Sequence, residues 1–133
     1  MTGTRMLLDT AFGLTDLPAL RGVLGDCAIA SGLTGQRGEE FVLAAYELLA
    51  SAIEHGGGRI QVHCTAGQLR CQIHTRGPGM PADTADGCGL DIADTLADQL
   101  DIRRHHDGAT AALIMNIPAA SGIPSQYWPS AGS

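Results

Sequence analysis

Three consecutive glycines, Gly56-Gly57-Gly58, separate two kinds of hydrophobic pattern in this chain. Before them, Phe41, Ala45, Leu48 and Ala52 recur at three- and four-residue steps, with Val42, Leu49 and Ile53 widening the stripe. That spacing predicts an amphipathic helix over about residues 36–55. After the glycines the period falls to two. Ile60, Val62 and Cys64 share one side and Gln61 and His63 the other; past a turn at 65–68, Leu69, Cys71 and Ile73 oppose Arg70, Gln72 and His74. This alternation is that of a half-buried hairpin, and it assigns Cys64 and Cys71 to the core face. A helix and a hairpin that each have one apolar side must bury those sides against each other.

The remaining elements extend the same plan. Residues 5–12 read as an edge strand, and Asp16 as the N-cap of a helix carrying Leu17, Leu20, Leu24 and Ala28 up to Gly32. A loop rich in glycine and aspartate spans 76–88. A third helix follows, with a stripe of Leu90, Ile92, Ala93, Leu96, Ala97 and Leu100, then strands at about 101–105 and 109–117 around a turn at Asp107-Gly108. The predicted architecture is an α+β two-layer sandwich: a mixed, mostly antiparallel sheet with helices on one face. One domain is expected over residues 1–118, followed by a flexible tail at 119–133 rich in Pro, Ser, Gly and Ala. Tyr127 and Trp128 stand out in that tail, as an anchor onto the domain or as a partner contact.

Composition excludes several functions. A net charge of −6 argues against a nucleic-acid partner. No apolar run approaches a membrane span, and the apolar start breaks at Asp9, so a cytoplasmic protein with no membrane partner is expected. The cysteines (Cys27, Cys64, Cys71, Cys88) form no CxxC pair and read as reduced, mostly buried thiols. All eight cationic residues are arginine, so a P-loop, which needs lysine, is ruled out. His105 and His106 are strand neighbours pointing to opposite faces, a poor start for a metal site.

The chemistry concentrates in two glycine pairs, Gly77-Pro78-Gly79 and Gly87-Cys88-Gly89-Leu90, downstream of the long helix. Glycines let a backbone approach a flat or anionic ligand closely, because no Cβ stands in the way. On the preceding helix, Glu47 lies one turn before Ser51 and can share a face with it. His55, at the helix C-terminus, complements the helix dipole. Together these residues suggest a nucleotide pocket.

Four boxes in order resemble the GHKL ATP-binding superfamily and, within it, the small bacterial anti-sigma-factor serine/threonine kinases. They are Glu47-Leu48-Leu49-Ala50-Ser51-Ala52-Ile53-Glu54-His55, Thr75-Arg76-Gly77-Pro78-Gly79-Met80-Pro81, Gly87-Cys88-Gly89-Leu90 with Leu96-Ala97-Asp98, and Gly108-Ala109-Thr110. The resemblance covers roughly residues 5–117. It implies the Bergerat-type fold, with ATP and magnesium held between the long helix and a lid at Pro81 to Asp86. It assigns Glu47 as the catalytic base and Ser51 as the metal ligand. The nucleotide-binding positions it implies are Ser51, Thr75, Gly77, Gly79, Gly87, Cys88, Gly89, Leu90 and Thr110. Such kinases phosphorylate a serine on an anti-anti-sigma protein and sequester a sigma factor, usually as homodimers.

Three residues depart from the family pattern. Ser51 stands where an asparagine carbonyl usually meets magnesium, Thr75 where an aspartate accepts from the adenine amino group, and Cys88 where a basic residue is common near the phosphates. A neutral hydrogen bond is about half as strong as a charge-assisted one. The expectation is therefore a regulator of the anti-sigma-kinase kind with weakened or lost ATP binding. The alternatives are an active ATP- and magnesium-dependent kinase, and a nucleotide sensor that never turns over.

Overall fold

In the computed structural model, residues 4–54, 56–65, 67–76 and 88–117 are described, with the backbone alone for Arg76 and for 88–91. The glycine loop at 77–87, including the proposed lid, lies outside the described residues, as do His55 and the tail from 118. Strand β1 (Arg5–Phe12) leads through a short turn at 14–16 into helix α1 (Leu17–Ser31) and helix α2 (Gly35–Ile53). The hairpin follows as β2 (Gly58–Cys64) and β3 (Gln68–Arg76), then helix α3 (Cys88–Leu96), β4 (Gln99–His105) and β5 (Gly108–Asn116).

The strands form one sheet in the order β1-β2-β3-β5-β4. Every pairing is antiparallel. β1 is an edge strand, as its position in the sequence predicts, and the helices pack on one face. Ile60, Val62, Leu69, Cys71, Ile73, Leu113 and Met115 point to that face and are fully buried against Leu24, Phe41, Leu48 and Leu49 of the helices. The α+β two-layer sandwich is thus the observed fold.

Local chemistry sets the element ends. Asp16 occupies the N-cap of α1, but its carboxylate closes the preceding turn by accepting from Gly13 N at 2.7 Å, not from an α1 amide. α1 ends at Gly32, left-handed at φ 95°, and the amide of Leu33 bonds back to Ala28 O at 2.9 Å. At the end of α2, Gly56 and Gly57 have φ of 102° and 81°, and Gly57 N donates to Ala52 O at 2.9 Å. The helix therefore stops where the glycine run predicts.

One expectation here needs correction. The third apolar stripe runs to Leu100 in sequence, but α3 stops at Leu96, and Leu100 sits in β4 opposite Leu113. The amide of Asp98 bonds to Ile114 O at 3.0 Å, which commits the chain to the sheet two residues before the predicted strand start. Leu100 and Ile102 then face the helices at strand spacing, a pattern that four-residue helical spacing mimics over one turn. Cys64, half-buried at the end of β2, packs against the core on the face its alternation assigns it, and Cys27 and Cys71 are buried. Burial pushes both buried thiols up, which makes them poor nucleophiles.

Arg37 ties the two helices of the far side together. Its guanidinium donates to Glu40 at 2.8 Å, to Leu96 O at 3.4 Å and to the carboxylate of Asp98. Asp98 also accepts from Asn116 N at 2.7 Å. The start of α2, the end of α3 and the end of β5 are thereby joined at one place. Among the described residues, no helix is long and apolar enough to cross a membrane.

Candidate functional site

Arg37, Glu40, Ala44, Glu47 and Ser51 recur at alternating three- and four-residue steps, so they form one stripe along α2. Arg37 fixes the direction of that stripe, because it is seated on the end of α3. The opposite flank of α2 meets α1, where Arg21 lies over the Tyr46 ring at 5.2 Å. Glu47 and Ser51 therefore lie on the side of α2 that borders α3, both half-buried. The sequence expectation that they share a face is met.

Thr75 reaches the same region from the sheet. Among the described residues it is the one buried polar residue, 6% exposed, near the end of β3. Its hydroxyl donates to Ala109 O at 3.4 Å, a long and weak bond that leaves the oxygen lone pairs to accept. β3 ends one residue later, and the loop carrying Gly77, Gly79 and Gly87, none of them among the described residues, returns the chain to Cys88. Cys88, Gly89 and Leu90 form the first turn of α3. The amides of a first helical turn lack partners within the helix, and the helix dipole there favours a negative ligand. The helix-covered side of the fold thus carries a phosphate-compatible helix start, a buried neutral hydroxyl and, on α2, a carboxylate one turn from a second hydroxyl.

Thr110 does not share the helix-covered face with Thr75. Thr75 pairs with Ala109 in register, and His74 pairs with Thr110. Cross-strand partners share a face, so Thr110 lies on the side of the sheet away from the helices. Its hydroxyl oxygen is 3.0 Å from His74 Nδ1 and 2.8 Å from His105 Nε2. His74 Nε2 is 3.2 Å from Gln61 Oε1, and Gln61 donates its amide to Asp9 Oδ2 at 3.4 Å. One proton assignment satisfies every member. His74 donates from Nε2 to Gln61, Thr110 donates to the bare Nδ1 of His74, and His105 donates to Thr110. The expectation that Thr110 binds nucleotide is corrected on this ground.

A neutral His74 fits this chain of bonds, and its pKa is lowered, first by burial and then by His105 and Arg59. The folded protein thus binds fewer protons than the unfolded chain just below the ordinary histidine pKa of 6.5. This part of the stability is complete above that value and is lost as the pH falls through it. We expect the urea midpoint to drop between pH 7 and 5 and the drop to flatten in His74→Gln. Asp9, lowered by its bond from Arg59, and Glu40, lowered by Gln36 and Arg37, lose their contributions in the more acidic carboxylate window. An unchanged slope in the variant contradicts the assignment.

The donor set fits a nucleotide in part. A threonine oxygen can accept from an adenine amino group, and a serine hydroxyl can reach a hard cation beside phosphate oxygens. No group of three or more His, Cys, Asp or Glu side chains able to hold a metal occurs among the described residues. Magnesium would rest on Ser51, with the Glu47 carboxylate one helical turn away, and on the phosphates it accompanies.

An antiparallel five-stranded sheet covered on one face by helices is consistent with the fold of a GHKL-type ATPase domain. The family model of the histidine kinase-like ATPase domain matches residues 11–116, and the chain belongs to that family. Such domains bind nucleotide with magnesium as a class. No curated relative matches the sequence.

Proposed function

We propose that this protein is a regulator of the anti-sigma-kinase kind that binds a sigma factor, an anti-anti-sigma protein or both, acts in the cytoplasm as a homodimer, and has a weakened nucleotide site. The observation that carries the weakened site is Thr75, buried at the end of β3 with its hydroxyl proton directed to Ala109 O. The family resemblance implies a carboxylate at this position. Exchanging a charged acceptor for a neutral one costs about 1–3 kcal/mol, or ten- to a hundredfold in affinity. Ser51 and Cys88 act in the same direction.

A second reading, an active serine/threonine kinase, is favoured by Glu47. A half-buried carboxylate one turn from Ser51 on the α3 side of α2 is placed to orient a hydroxyl nucleophile. One experiment separates the two. The protein is mixed with a sigma factor and an anti-anti-sigma protein, with and without labelled ATP and magnesium. We expect a complex on size exclusion without nucleotide and no label on the partner. Stoichiometric serine phosphorylation would establish the kinase instead, and failure to bind either partner would refute the regulatory reading.

A further inference from the structure

The face of the sheet turned away from the helices holds a second cluster, apart from the proposed nucleotide site. At the hairpin end of β2 and β3, His63 and Arg70 are direct cross-strand partners. They line a cavity of 370 Å³ with Thr4, Thr65, Gln68 and Gln72. That volume falls within the roughly 300–1,000 Å³ of small-ligand clefts. All six lining residues are polar and none is acidic.

Charge balance makes this unusual for the chain. The protein carries a net charge of −6, and three of its arginines are ion-paired: Arg37 with Glu40 and Asp98, Arg59 with Asp9, Arg103 with Asp101. Among the described residues Arg70 has neither an ion pair nor a hydrogen-bond partner. The carboxylates around it are committed elsewhere. Asp101, across a neighbouring hollow that Arg70 also lines, accepts from Arg103 Nε at 2.9 Å. Asp9, within electrostatic reach of His63, is held by Arg59 Nε at 2.6 Å and by Gln61. Beside Arg70, His63 Nδ1 is buried with no hydrogen-bond partner, the one such side-chain atom among the described residues. A buried polar atom without a partner is costly, and its presence calls for a specific cause.

We propose that this cavity binds a small tetrahedral oxyanion of the phosphate type. Arg70 supplies a planar fork of donors that matches two of its oxygens. The Gln72 amide and the Thr4 hydroxyl bring further donors from β3 and from the segment entering β1, and the imidazole of His63 stands opposite Arg70. Donors converging from separate segments suit a tetrahedral anion better than a planar carboxylate.

The test is a titration of the full chain with inorganic phosphate at pH 7 and constant ionic strength, followed by NMR of the Arg70 Nε and His63 ring signals. Acetate and sodium chloride serve as parallel probes. We expect saturable shifts with phosphate, weaker response to acetate, and binding that falls roughly tenfold or more in Arg70→Gln. Arg70 is exposed, so that variant folds, which circular dichroism verifies. Arg103→Gln, beside the neighbouring hollow, is expected to leave phosphate binding unchanged. The proposal is overturned by shifts that do not saturate, by equal binding of acetate, by an unchanged affinity in Arg70→Gln, or by an equal loss in Arg103→Gln.

Discussion

Gly58→Ala is expected to destabilise the protein by about 3 kcal/mol or more, the largest stability effect of any single glycine replacement among the described residues. A Cβ at Gly58 would stand 1.8 Å from His74 O and 3.2 Å from Thr75 Cα. Both are backbone atoms of β3, so no side-chain rotation relieves the clash. The first rung of the hairpin, where Gly58 pairs with Thr75, must open. That rung also positions Thr75, so the same replacement displaces the proposed adenine contact. Gly22→Ala is the contrasting change: nothing lies within 4 Å of the added carbon, and the site is helical. It should raise stability by about 0.5–1 kcal/mol, the helix-propensity gain of alanine over glycine. Urea denaturation measures both, and a Gly58→Ala midpoint equal to that of the parent protein would show that the strands are not this close.

Ser51→Asn combined with Thr75→Asp should raise ATP affinity by roughly ten- to a hundredfold. Asparagine offers a hard carbonyl oxygen to magnesium, and aspartate a charged acceptor to adenine. The structure adds a consequence for the nucleotide-free protein. Thr75 is buried and donates to Ala109 O, whereas an ionised aspartate there turns acceptor toward acceptor. The double variant is therefore expected to lose about 1–3 kcal/mol without ligand and to recover stability as ATP is added, following the usual linkage of binding to folding. A folded double variant that binds ATP no better than the parent would mean that the departures at Ser51 and Thr75 are not what weakens the site.

Most of the fold was legible because its elements bury one face at a clear period. The three glycines after α2 and the alternation from Ile60 to His74 placed the long helix and the hairpin within one or two residues. The error at Leu100 arose because one turn of helix and one step of strand can both carry apolar residues four apart. The candidate site was legible in part. That Glu47 and Ser51 share one face of α2 follows from helical spacing, whereas their assignment to a nucleotide site comes from the motif. Thr110 was assigned by its motif, although its own strand argued otherwise: Ala109, Ala111, Leu113 and Met115 are buried, which puts Thr110 on the outer face. The bonds of Thr110 to His74 and His105, and the pairing of His63 with Arg70, depend on which residues meet across strands. That register comes from the packed sheet and not from any single segment.

The central claim is a kept fold with a weakened nucleotide cleft. Isothermal titration calorimetry of the unmodified protein with ATP and magnesium tests it most directly. The account predicts a dissociation constant weaker than about 100 µM, or no measurable heat; a constant of about 1 µM or tighter would contradict it.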